Sequence, residues 1–93
     1  MAVFDTAEMH RRLAEALPGA IIRVQDMTGT GDHFAVVVVS DAFQGKPEVA
    51  RHRMVYAPLR DVMGGAVHAL ALTTQTDAEA QAAAASQPLR IQP

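Results

Sequence analysis

Four histidines are the side chains best suited to hold a transition metal in this chain, because the sequence contains no cysteine. The absence of cysteine excludes disulfides, a thiolate nucleophile and a cysteine-only cluster site. Soft-metal chemistry therefore needs a thiolate supplied from elsewhere. His10 lies between acidic and basic residues beside Arg11 and Arg12 and reads as a solvated surface residue. His52 shares an apolar helical stripe and reads as structural, packing its ring and hydrogen-bonding one nitrogen to backbone. His68 follows the Gly64-Gly65 pair and opens an alternating apolar stretch, where its side chain can reach solvent at the end of a sheet. His33 ends a glycine-rich loop that would let its imidazole swing toward a shared ligand. Spacing alone does not show that His33 and His68 meet. If they do, two nitrogens leave an iron pair undercoordinated, and a partner's thiolates are the natural completion.

Other chemistry is sparse. Gly29 and Gly31 lack the following helix and later glycine of a phosphate-binding fingerprint and read as turn residues. Ser40 has no evident histidine and acid arranged around it, so the expectation is a protein that is not an enzyme. Lys46, Arg51, Arg53 and Arg60 can form a basic edge for nucleic acid, or simply a solvated helix face. The formal charge of −2 argues against a general polyanion binder, which gains affinity by neutralising several phosphates.

The elements that must position these residues are few. With 93 residues, 49% of them apolar and 19% charged, the chain has room for one domain, expected over 1–86, followed by a flexible tail over 87–93. The longest fully apolar stretch, Phe34 to Val39, is far shorter than the roughly 18 to 20 residues that span a bilayer, and the N-terminal region is acidic. A cytoplasmic protein without membrane contact is expected.

Asp5 and Glu8 mark a helix start, with Phe4 and Met9 placed as a hydrophobic staple, and Pro18-Gly19 mark its end. Ile21 to Asp26 reads as a strand, the stretch from Thr28 to Asp32 as a turn, and Phe34 to Val39 as a second strand. That second strand is apolar on both faces and is expected at the centre of the sheet. A short turn over Asp41 to Lys46 leads to a long helix from Pro47, carrying His52, Val55, Tyr56, Leu59, Val62 and Met63 on one stripe. Pro58 predicts a kink or a junction of two helical pieces. Val67 to Thr74 alternates as a third strand, with His68, Leu70 and Leu72 on one face, and Thr76 with Glu79 forms the capping box of an alanine-rich helix.

Three separated blocks stand out: Val-Val-Val-Ser-Asp-Ala-Phe-Gln-Gly-Lys from Val37 to Lys46, Arg51-His52-Arg53-Met54-Val55-Tyr56, and Val67-His68-Ala69-Leu70-Ala71-Leu72. In this order they closely resemble the BolA family signature, over roughly residues 20 to 76. The resemblance implies an α+β fold similar to the class II KH domain, a three-stranded sheet with helices on one face in the order α-β-β-α-α-β-α. It further implies that His68 is the family's C-terminal cluster ligand and that His33 lies in the variable loop that supplies a second histidine or cysteine. The family's usual partner is a monothiol glutaredoxin, whose thiolate and glutathione complete a 2Fe-2S cluster that the isolated chain does not bind. Some members are described as DNA-binding transcription regulators of morphology and stress response, which makes Lys46, Arg51, Arg53 and Arg60 the alternative site. By itself the chain is expected to be a monomer or weak homodimer. Two departures from the family pattern are that the acidic and tryptophan residues associated with the family beyond Thr76 are not matched here, and that Pro58 replaces the usual small residue.

Overall fold

The computed structural model describes residues 4–29 and 31–86. The expected tail over 87–93 lies outside the described residues. The elements run α1 (Thr6–Ala16), β1 (Ile21–Asp26), β2 (His33–Val39), a 3₁₀ turn (Asp41–Phe43), α2 (Glu48–Tyr56), a second 3₁₀ turn (Ala57–Leu59), β3 (Ala69–Gln75) and α3 (Asp77–Ser86). The α+β class and the order read from the sequence are both present. The strands lie in the order β1-β2-β3, with β2 antiparallel to β1 and parallel to β3.

Local signals account for most of the element ends. The Asp5 carboxylate accepts the Glu8 N–H at 2.9 Å, satisfying one of the donors a helix start leaves open. The helix ends before Gly19, whose φ of +85° is the left-handed conformation that glycine adopts without steric penalty. At the start of α3 the Thr76 hydroxyl accepts the Glu79 N–H at 3.1 Å while the Glu79 carboxylate accepts the Thr76 N–H at 3.0 Å. Pro58 sits in the second 3₁₀ turn, so the long helix is two helical pieces joined at the proline.

α1 and α2 bury one face of the sheet. Met9 and Leu13 from α1, Ile22, Phe34, Val36 and Val38 from the sheet, and Phe43, Val55, Leu59 and Val67 form one contiguous aliphatic and aromatic core. Phe4 packs edge-on against Phe34 with ring centres 5.9 Å apart. α3 differs from the expectation that the helices share one face. Its Ala80, Gln81 and Ala84 line a groove of about 390 Å³ with Ile21, Arg23, Val37 and Val39, side chains of the sheet's other face. Small alanine side chains offer little area to close that groove, so Ile21 stays 55% exposed.

Two arginine–carboxylate clusters tie helices together. Glu8 accepts from Arg11 and Arg12 of its own helix, and Arg12 reaches on to Asp61 and the Pro58 carbonyl. Arg51 of α2 grips Glu79 of α3 in a two-pronged pair at 2.6 and 3.0 Å. The guanidiniums of Arg11 and then Arg12 hold the Glu8 carboxyl well below its ordinary 4.5, at about 2. Arg51, followed by the Thr76 N–H, brings Glu79 to about 2 as well. A carboxyl whose pKa is depressed on folding contributes stability above its unfolded value and loses it as pH falls through the folded one. The thermal midpoint is therefore expected to hold steady above about pH 5 and to decline between about pH 4.5 and pH 2. Glu79→Gln should flatten part of that decline. A midpoint unchanged across this window in calorimetry would show that these pairs contribute nothing to folding.

Candidate metal centre

The hairpin loop that delivers His33 is organised by one carboxylate. Asp26 Oδ1 accepts the N–H groups of Thr28 and Gly29, at 3.2 and 2.9 Å, and Oδ2 accepts that of Gly31 at 2.9 Å. The Met27 N–H donates to the His33 carbonyl at 2.8 Å, closing the loop where β2 begins. On the other side, the turn after α2 returns through the Met63–Val67 bridge, and His68 comes immediately before β3. The Asp32 carbonyl accepts the N–H of both His68 and Ala69, at 2.8 and 3.2 Å. Parallel pairing then sets His33 opposite Ala69.

This register brings the two histidines together. Their ring centres are 6.1 Å apart and their planes are inclined by 32°. His68 is exposed and His33 is half-exposed, so both rings face solvent at the same end of the sheet. His33 Nδ1 lies 2.9 Å from Asp32 Oδ1. An ionised carboxylate only accepts, so this contact places the proton on Nδ1 and leaves the Nε2 lone pair for a ligand. Asp32 is a neighbour of the candidate site that the histidine spacing does not reveal; its place directly before His33 is the available signal.

A donor-set test can be made on this geometry. A metal bound about 2 Å from a ring nitrogen lies about 3 Å from the ring centre, so two imidazoles on one ion have centres about 5–6 Å apart. The observed 6.1 Å fits with a small side-chain adjustment. Among the described residues, no three His, Cys, Asp or Glu side chains group together as a metal site. The pair therefore offers two nitrogens and leaves the remaining positions to another molecule.

The other candidates are placed differently. His10 is exposed on α1. His52 departs from its expected backbone hydrogen bond: its Nε2 is buried with no hydrogen-bond partner, and the nearest acid, Glu48, stands 3.5 Å away. Its ring meets Tyr56 edge-on at 6.4 Å, one turn along α2. The four cations of the alternative site do not act as one set. Arg51 is bound to Glu79, donates to the Lys46 carbonyl and lies against the Phe43 ring, with only 13% of its side chain exposed. Lys46, Arg53 and Arg60 are exposed, and Arg53 and Arg60 share one groove. Among the described residues, no helix is long and apolar enough to cross a membrane.

The structure is thus a small α+β domain with a mixed three-stranded sheet and a pair of outward histidines at one end. The family model for BolA-like protein matches residues 1–79, and the chain belongs to the BolA family. It is 36% identical over 80 residues to human BolA-like protein 1, covering 78% of this chain and 58% of that protein. Over 48 residues it is 50% identical to the DNA-binding transcriptional regulator BolA of Escherichia coli, covering 52% of this chain and 46% of that one. The chain thus spans about half the length of these curated relatives. The solved structure of BolA1 from Arabidopsis thaliana superposes with a TM-score of 0.72 at 31% identity, over 80% of this chain and 93% of that one.

Proposed function

We propose that this chain is a cytoplasmic, non-catalytic partner protein that binds a monothiol glutaredoxin and contributes His68 and His33 to a shared 2Fe-2S cluster, for iron sensing or cluster delivery. The observation that supports this reading is the pair of solvent-facing imidazoles with centres 6.1 Å apart in a chain that has no thiolate of its own. The cluster would supply the redox and sensing chemistry, and imidazole ligation raises its potential relative to all-thiolate ligation. This chain's residues would set how readily the ligands are presented. Asp32 holds the His33 ring and its tautomer, while the two hydrogen bonds to the Asp32 carbonyl fix the backbone that carries His68. Protonation of an imidazole removes its lone pair, which gives a route to a labile, regulated cluster.

The test is co-expression with a monothiol glutaredoxin and a visible absorption spectrum of the purified pair. The expected result is a stable complex whose cluster bands differ from those of the glutaredoxin alone. A complex with the glutaredoxin's own spectrum, or no complex, would overturn the reading.

A second reading, DNA binding, is favoured by the name of the Escherichia coli relative and by the exposed Lys46, Arg53 and Arg60. It has less support here because Arg51 is committed to Glu79. Binding to duplex DNA that weakens steeply with salt and persists in the His33→Ala, His68→Ala double variant would favour it.

A further inference from the structure

Arg53, Tyr56, Ala57 and Arg60 recur at helical spacing along α2 and the turn that extends it, and with Met63 they line a surface groove of about 520 Å³. Both arginines are exposed, and among the described residues neither guanidinium has a hydrogen-bond or ion-pair partner. The neighbouring acids are engaged elsewhere. Asp61, next to Arg60 in sequence, is held by Arg12 at 2.6 Å, Glu79 is held by Arg51, and Glu48 lies by His52. The groove is thus a locally positive surface with an aromatic and thioether floor, on a chain whose net charge is −2.

We propose that this groove docks an acidic segment of a protein partner, with carboxylates gripped by Arg53 and Arg60 and an apolar side chain laid across Tyr56, Ala57 and Met63. Guanidinium forks match carboxylates in a bidentate way, and unpaired arginines beside a half-buried tyrosine are the residue types that dominate interface energetics. Helical rise places the two arginines about 10 Å apart along the axis, which is about the span of three residues of extended chain. Nucleic acid is the poorer occupant. Its affinity rests on neutralising many phosphates, whereas only two cations line this groove and the nearby Arg51 is already neutralised. The groove uses neither His33 nor His68, so the proposal holds with or without a bound cluster.

Fluorescence anisotropy of the full chain with a labelled decapeptide tests it, the probe carrying two glutamates three positions apart around a leucine. Binding is expected to weaken about tenfold in Arg53→Gln or in Arg60→Gln and to vanish in the double variant, with circular dichroism unchanged since both side chains are exposed. The glutamine counterpart of the peptide should not bind. Equal binding of the two peptides, or a double variant that binds like the parent, would overturn the proposal. So would tighter binding of a single-stranded oligonucleotide that depends on the same two arginines.

Discussion

His68→Ala is expected to return the visible spectrum of the mixed complex with a monothiol glutaredoxin to that of the glutaredoxin alone. The expectation follows from how the two histidines are held. His68 is exposed directly before β3, and its N–H is pinned to the Asp32 carbonyl at 2.8 Å, so its Cα has little freedom while its ring is open to a ligand. His33 stands at the first residue of β2, half-exposed, with Nδ1 already engaged by Asp32. His33→Ala should therefore leave a weakened but still altered spectrum, because the strand-anchored nitrogen remains. Asp32→Asn is expected to act in the same direction as His33→Ala, lowering cluster retention by about 10- to 100-fold, the usual effect of losing a group that orients a ligand. All three variants keep the core intact, so far-ultraviolet circular dichroism should not change. A His68→Ala complex with the parent spectrum would remove His68 from the ligand set.

Much of this arrangement is legible in the sequence wherever the cause is local. The Asp5 cap and the Thr76–Glu79 box are decided within one helical turn, and both are present as read. The run Phe34 to Val39 is apolar on both faces, which announces a central strand before any partner is known. Pro58 likewise marks the break between α2 and its 3₁₀ extension. What is not legible depends on pairing across long stretches of chain. The parallel register of β2 with β3 brings His33 beside His68 across 34 intervening residues, and nothing in the spacing of two histidines encodes it. The grip of Arg51 on Glu79 spans 28 positions and turns a residue that reads as a phosphate contact into a clamp between helices. His52 shows the same limit at a single atom. Helical periodicity places it near the core, but whether its buried Nε2 finds a partner depends on which neighbours arrive.

The fold and the histidine pair also share a dependence on one buried ring. Phe34 follows His33 directly, is 1% exposed, and pairs in register with Leu70, two residues beyond His68. It also carries the edge-on contact with Phe4, ahead of α1. One ring thus anchors the helix start and the two strands at the end of the sheet where the histidines emerge. Phe34→Ala is expected to lower the unfolding free energy by about 3–5 kcal/mol, the sum of lost transfer energy and an unfilled cavity. Against a total of about 5–15 kcal/mol for a domain of this size, that removes much of the margin. Urea denaturation should show a lower midpoint with the slope unchanged. Phe34→Leu, which retains apolar bulk on the same face, should recover a large part of the loss. If the loss in Phe34→Ala stayed below about 1 kcal/mol, the ring would not be the packing keystone its burial indicates. Because α1 and both strands converge on it, the same variant should release cluster sooner than His33→Ala at temperatures just below its unfolding transition, by freeing both histidine backbones at once.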